Sequence, residues 1–137
     1  MQLKRIAFIL PILIGGLYAG VVLNVTTDVE VDDLTIESGD KMILSTGITL
    51  TVNGNVVITG ELEMADGSIV DAGGGVTVTG TLDMDGSSRL KMEGDLTFTA
   101  GTLDAEDGSG IDLGGGASQT VTGPIVGNFK SITRRGN

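Results

Sequence analysis

Pairs of apolar residues, separated by one residue, recur along this chain at an interval of about twenty residues. Three such pairs occupy each repeat, and they form the series Met42/Leu44, Leu62/Met64 and Leu82/Met84, the series Leu50/Val52, Val70/Ala72 and Leu90/Met92, and the series Val56/Ile58, Val76/Val78 and Leu96/Phe98. Alternation with period two is typical of a strand with one buried face. Three strands in every repeat predict a coil with three sides, a β-solenoid.

The repeat is less regular at both ends of this region. Val29/Val31 and Leu34/Ile36 predict an irregular first rung, with a bend at Asp32 and Asp33. After residue 100 the pairs are Leu103/Ala105 and Ile111/Leu113, and three glycines precede Gln119/Val121, which we expect to align with Leu96/Phe98. The solenoid is therefore expected over residues 25–137. The pattern restarting at Phe129 and Ile132 leads us to expect further rungs in a longer native polypeptide.

The first nineteen residues have the order of a secretory signal peptide. Lys4 and Arg5 precede an uncharged apolar run from Ile6 to Leu23, and Ala19 offers a cleavage point. Leu17 is larger than the residue usually found three positions before such a cut. The alternative is an uncleaved N-terminal anchor over residues 6–23, since this run just reaches the length of a membrane span. Both interpretations place the repeats outside the cytoplasm, as a secreted or cell-surface protein.

The composition narrows the classes of function. The 137 residues carry a formal net charge of −10 and contain no cysteine, histidine or tryptophan. Disulfides and thiolate or imidazole metal sites are therefore excluded. An acidic surface repels nucleic acid and anionic membranes, so no nucleic-acid partner is expected. Aromatic residues make up only 3%, which suits a thin solenoid interior better than a conventional globular core.

Residues 34–64 (LTIESGDKMILSTGITLTVNGNVVITGELEM) and 114–133 (GGGASQTVTGPIVGNFKSIT) resemble the repeat regions of large secreted bacterial surface proteins of the right-handed parallel β-helix type. The expected fold class is thus all-β, a three-sided right-handed parallel β-helix with about 20 residues per rung. The resemblance implies an exported stalk or passenger segment, structural or adhesive, without catalytic activity of its own. Expected partners are a cell-surface or extracellular polysaccharide or protein, and further rungs or downstream domains of the same polypeptide.

Outward carboxylates recur in two predicted columns, and these are the candidate metal ligands. One column is Glu63, Asp83 and Asp104 on a strand face, and the other is Asp66, Asp85 and Asp107 at the corner that follows. Adjacent rungs lie about 4.8 Å apart, so stacked carboxylates repel one another or share a hard cation such as Ca²⁺. The alternative is that the corner acids serve only as turn residues and the outward acids only as soluble surface. The segment from Gly108 to Asp112 also matches part of a calcium-binding nonapeptide repeat.

A threonine ladder is the second candidate surface. The segments Thr77-Val78-Thr79, Thr97-Phe98-Thr99 and Thr120-Val121-Thr122 are expected to stack on one side. Flat arrays of this kind resemble the faces of ice-binding proteins, where regularly spaced hydroxyls and methyls order water. The alternative is that threonine simply suits a half-exposed strand position.

A third alternative is the N-terminal part of a carbohydrate-binding or carbohydrate-cleaving β-helix. Such enzymes gather carboxylates and a base in a groove walled by long turns. Here the turns are short, and Arg89 and Lys91 are the bases in the middle of the repeats. We therefore assign no catalytic or cofactor-binding residue, apart from possible Ca²⁺.

Overall fold

A computed structural model describes residues 5–9, 20–115, 120–123 and 132–134, with the backbone alone described for 5–9 and for Arg134. All strand pairs in these segments are parallel, and these segments contain no helix. It follows that no helix in this part of the chain has the length and apolarity to cross a membrane. The chain is a β-solenoid of about five turns with about 20 residues per turn, which confirms the predicted architecture.

Each turn contributes one strand to each of three faces. The acidic face consists of β2 (Val22–Val25), β4 (Lys41–Leu44), β7 (Glu61–Met64), β10 (Thr81–Met84) and β13 (Thr102–Ala105). The mixed face consists of the first half of β3 (Val29–Ile36), then β5 (Thr49–Val52), β8 (Ile69–Ala72), β11 (Arg89–Met92), β14 (Gly110–Leu113) and β16 (Ile132–Arg134). The threonine face consists of the second half of β3, then β6 (Val56–Ile58), β9 (Val76–Val78), β12 (Leu96–Phe98) and β15 (Val121–Thr122).

The long strand β3 joins two of these faces. Its first half pairs with β5 and its second half with β6, so the mixed and threonine faces form one continuous sheet. The first rung begins at Val22, a little before the expected start at residue 25. Within the predicted leader, strand β1 (Arg5–Ile9) pairs in parallel with β3. Residues 10–19 lie outside the described residues, and cleavage or anchoring of this segment stays a prediction.

The alternation of the sequence determines which side chains enter the coil. In every strand from β4 to β12, buried residues alternate with half-buried outward residues. Met42, Leu62, Leu82 and Leu103 form one continuous inward column. Because each rung pairs its backbone with two neighbours and stacks its apolar side chains on theirs, stability accumulates rung by rung.

The strict register from Met42 to Phe98 is confirmed, as is the 21-residue step to Leu103 and Ile111. The expected register of the last threonine segment is wrong by two residues. Val121 pairs with Leu96 and Thr122 with Thr97, so Thr120 does not align with Thr97. The reason is that Thr120 occupies the preceding corner: its N–H donates to Asp95 Oδ1 at 2.8 Å, and its carbonyl accepts the N–H of Leu96. Gln119 lies outside the described residues.

Candidate functional site

The predicted acidic column on the strand face is confirmed as a structural alignment. Asp83 lies between Glu63 on the preceding rung and Asp104 on the following rung. All three side chains point away from the core, because Leu62, Leu82 and Leu103 beside them point inward. A second outward column runs alongside, with Lys41, Glu61, Thr81 and Thr102.

A lysine that the sequence analysis did not select neutralises part of this face. The Lys41 Nζ lies 2.9 Å from Glu61 Oε1 and 2.6 Å from Glu63 Oε2. Hydrogen bonds to Glu63 and then to Glu61 raise the pKa of Lys41 above its ordinary value. The ammonium group of Lys41 therefore offsets part of the negative charge of Glu61 and Glu63.

Carboxylate oxygens of Glu61, Glu63 and Asp83 come within 4.8 Å of one another, and all three side chains are half-buried. Oxygen donors at this spacing are of the kind that hard cations such as Ca²⁺ accept. Lys41 contacts two of the same three carboxylates, so a metal ion would compete with its ammonium group. Calcium binding here stays a prediction, and Asp104 lies one rung beyond this group.

Repulsion between carboxylates is concentrated at Asp83 and Asp85. Burial raises the pKa of Asp83, and the charges of Asp85, Asp104, Glu63 and Glu61 raise it further. Burial is also the first cause of the raised pKa of Asp85, followed by the charge of Glu106. Folding therefore shifts both carboxyl groups toward the protonated form, relative to the unfolded chain.

We expect Asp83→Asn to stabilise the protein at pH 7. A raised carboxyl pKa means that the charge of Asp83 costs stability above the folded pKa, and that this cost disappears below the unfolded value of about 3.9. Removing a charge that is partly buried and repelled by like charges on neighbouring strands should raise the free energy of unfolding by about 0.5 kcal/mol at pH 7. The gain should vanish near pH 3.5, and denaturant unfolding at both pH values measures it.

Asp71→Asn is the matched control for this prediction. Asp71 is also an outward strand residue, but its neighbours are Thr51 and Lys91 rather than acids. Removal of its charge deletes an attraction, so this variant should lose a little stability at pH 7. A gain in Asp83→Asn that persisted unchanged at pH 3.5 would contradict the burial and repulsion of the Asp83 charge as its cause.

The predicted corner column is wrong in register. Asp66 and Asp107 align with each other across Gly86, whereas Asp85 aligns with Ala65 and Glu106. The pairing of Met64 with Met84 and of Met84 with Ala105 fixes this arrangement, because the corner residues follow directly. The three aspartates therefore do not form a single stack of carboxylates.

Corner side chains instead accept backbone hydrogen bonds from the neighbouring rung. Asp66 Oδ1 accepts the Ser87 N–H at 2.7 Å and the Ser87 hydroxyl at 2.9 Å. These bonds, with a further one from the Gly67 N–H, lower the pKa of Asp66. Glu106 likewise accepts the Gly86 N–H. Asp66 thus acts as a turn residue that ties two rungs together.

A similar ladder runs along the corner between the mixed and threonine faces. Asp33 Oδ1 accepts the Asn55 N–H, and Asn55 Oδ1 accepts the Gly75 N–H. Asp95 continues it by accepting from Thr120. Side-chain oxygens at these positions satisfy backbone donors that the bend would otherwise leave unpaired.

The threonine face carries no charged side chain at its described outward strand positions. One column consists of Thr35, Val57, Thr77, Thr97 and Thr122. A second column at the end of the strands consists of Glu37, which is half-buried, and of Thr59, Thr79 and Thr99, which are exposed. From the second rung onward both columns are uncharged, on a protein with a formal net charge of −10.

Lys41 and Glu61 could have been found from the sequence. Each directly precedes an inward residue of the aligned series, Met42 and Leu62, so the register already places both on the acidic face. The role of Asp40, described below, could not be found in this way, because it depends on backbone positions at an irregular corner. Comparison of the chain with protein-family models, with curated proteins and with solved structures gives no match.

Proposed function

We propose that this chain is an exported β-solenoid module that acts as a structural stalk and adheres through its threonine face, without catalytic activity of its own. The observation that carries the proposal is the shortness of the corners. Between Val29 and Leu113, no connection between strands is longer than four residues. Loops of this length cannot wall a deep substrate cleft, whereas they leave the strand faces open and flat.

A solenoid is suited to act as a spacer, because each additional rung lengthens it by a fixed distance. Rungs about 4.8 Å apart give about 24 Å over five turns. Each rung is held by parallel pairing to its neighbours, and corner ladders at Asp33, Asn55 and Asp66 add bonds between rungs. The uncharged run after Lys4 and Arg5, in signal-peptide order, supports export.

The threonine face is the surface that we propose for adhesion. Contact with an uncharged polysaccharide requires little desolvation of charge, and threonine offers both a hydroxyl and a methyl group. On the acidic face, by contrast, the outward residues Glu61, Glu63 and Asp83 would have to be desolvated. Regular hydroxyls on a flat sheet fit a repetitive ligand surface better than a single small molecule.

The experiment compares Thr97→Lys with Thr51→Lys in the full chain secreted from a bacterial host. Both threonines are central outward residues of their strands, but Thr97 lies on the threonine face and Thr51 on the mixed face. Pull-down on insoluble cell-wall polysaccharide should fall at least about tenfold for Thr97→Lys, which corresponds to 1.4 kcal/mol, and stay near the parent level for Thr51→Lys.

Other outcomes would replace parts of the proposal. Equal binding by both variants would remove the threonine face as the adhesive surface. Release of new reducing ends from the polysaccharide would favour a carbohydrate-cleaving enzyme. Inhibition of ice recrystallisation that is lost only in Thr97→Lys would assign this face to ice, and retention of the parent chain in the cytoplasm would refute export.

A further inference from the structure

Asp40 is a buried carboxylate with one unused oxygen. Its side chain lies at the corner between the threonine and acidic faces, and the residue is only 4% exposed. Oδ1 accepts the N–H of Val21 at 2.9 Å. Oδ2 is buried and has no hydrogen-bond partner among the described residues. An unpaired buried carboxylate oxygen is costly, so this atom lacks a donor that the fold would favour.

Asp40 stands at the end of a column of glycines. It aligns with Gly60, Gly80 and Gly101 on the following rungs. A Cβ at Gly60 or Gly80 would lie 2.2 or 1.9 Å from a backbone carbonyl oxygen of the preceding rung, so a side chain cannot fit there. At Asp40 a side chain does fit, and it is directed to the backbone of Val21.

The backbone of Gly20 and Val21 is held firmly against this corner. A Cβ added to Gly20 would lie 1.6 Å from the Gly39 carbonyl oxygen, so position 20 accepts only glycine without a shift. The Lys41 N–H donates to the Val21 carbonyl at 2.8 Å. Adjacent main-chain nitrogens lie within about 4 Å of each other. The nitrogen of Gly20 is therefore close to the Val21 nitrogen, whose N–H donates to Asp40 Oδ1.

We propose that Asp40 is the acceptor for a new α-ammonium group at Gly20, formed when a leader peptidase removes residues 1–19. The proposal rests on the export proposed above. Water cleaves the bond between Ala19 and Gly20: the hydroxyl goes to the Ala19 carbonyl carbon, which becomes a carboxylate, and the Gly20 nitrogen leaves as an amine. The amine takes up a proton and donates to Asp40 Oδ2 in a charge-assisted hydrogen bond.

Among the described residues, no charged side chain near Asp40 donates a hydrogen bond to its Oδ2. Lys41 follows it in the chain, but the Lys41 Nζ contacts Glu61 and Glu63 instead. Glu37 contributes its backbone carbonyl, which accepts the Asp40 N–H at 3.0 Å. An α-ammonium at Gly20 would supply the missing donor directly, and removal of the leader would thereby lock the first rung of the mature protein.

The test uses four secreted proteins: the parent, a variant with one glycine inserted between Ala19 and Gly20, and both again with Asp40→Asn. The insertion moves the α-ammonium away from Asp40, while asparagine keeps an acceptor for Val21. Processing removes strand β1 from all four proteins, so the loss of its pairing with β3 does not affect the differences in melting temperature. At pH 6.5 the parent should melt at least about 3 °C above the insertion variant, and with Asp40→Asn this gap should disappear.

The pH dependence has a defined sign. Pairing with Asp40 raises the pKa of the Gly20 α-amine above its unfolded value of about 7.7–8.0, so the stabilisation is present below that value and lost as the pH rises through the folded pKa. The melting gap should close by about pH 10. Glu37, Lys41 and Glu61 are common to all four proteins, so their titration cancels in the comparison.

Three results would overturn the proposal. A mature mass that includes residues 1–19 refutes the processing step and, with it, the cleavage on which the inference depends. A correct mass with equal melting temperatures refutes only the pairing with Asp40 and leaves export intact. If Asp40→Asn does not fold, acylation of the α-amine at pH 8 decides: it should be several-fold slower in the parent than in the insertion variant, and equal rates refute the pairing.

Discussion

Val78→Asp is expected to abolish the cooperative unfolding of the solenoid. Val78 is 0% exposed and lies in an inward column between Ile58 and Phe98 of the two neighbouring rungs. An aspartate there would place a carboxylate among apolar side chains, at a cost of about 4 kcal/mol or more. Since a domain of this size is stable by about 5–15 kcal/mol, one such charge removes much of the total. Thermal unfolding followed by circular dichroism measures the loss.

Thr77→Asp is the matched control, because Thr77 is the adjacent residue on the same strand and points outward. Its neighbours Val57 and Thr97 are uncharged, so the new carboxylate stays in water and meets no like charge on the threonine face. This variant should unfold cooperatively with a loss below about 1 kcal/mol. If Thr77→Asp unfolds and Val78→Asp keeps the parent transition, the inward and outward assignments are reversed.

The sequence predicted the fold well because its apolar spacing is a direct consequence of the strand pairing. Residues 20 positions apart, such as Leu62 and Leu82, are direct partners, and the 21-residue step to Leu103 appears in both the sequence and the structure. In a parallel coil every rung repeats the same inward positions. Counting apolar pairs therefore locates the strands and identifies which side chains fill the interior.

The corners were harder to predict because their lengths vary while the strands stay in register. The sequence interval from Asp66 to Asp85 is one residue shorter than the repeat, so the two aspartates occupy different corner positions. The segment before Val121 contains extra residues, and the bond from Thr120 to Asp95 determines where pairing resumes. Side-chain hydrogen bonds, rather than apolar periodicity, determine these local registers.

The acidic face was predicted in part. The register of Glu63, Asp83 and Asp104 follows from the neighbouring leucines and is confirmed. The contact of Lys41 with two glutamates depends on rotamers, which the spacing of residues does not determine. The unpaired oxygen of Asp40 likewise depends on three-dimensional burial, at a corner that has two residues more than the corresponding corner of the next rung.

The second large expected effect concerns a corner glycine, Gly80, which lies between two neighbouring rungs in the middle of the solenoid. Its φ is not in the left-handed region, so alanine would be acceptable on local grounds and would even restrict the unfolded chain. A Cβ at this position, however, would lie 1.9 Å from the Gly60 carbonyl oxygen and 2.4 Å from that of Thr59. Both atoms belong to the backbone of the preceding rung, which cannot move without disrupting its pairing.

Gly80→Ala should therefore lower the free energy of unfolding by about 3 kcal/mol, because two rungs must separate at this corner. Gly47→Ala is the control: its φ is +72°, and a Cβ there meets nothing within 4 Å. That variant bears only the local cost of a left-handed alanine, about 1 kcal/mol. Denaturant unfolding of both variants gives the comparison. A loss in Gly80→Ala no larger than that in Gly47→Ala would mean that the rungs are not in close backbone contact at this corner, and that the glycine column reflects turn conformation rather than packing between neighbouring coils.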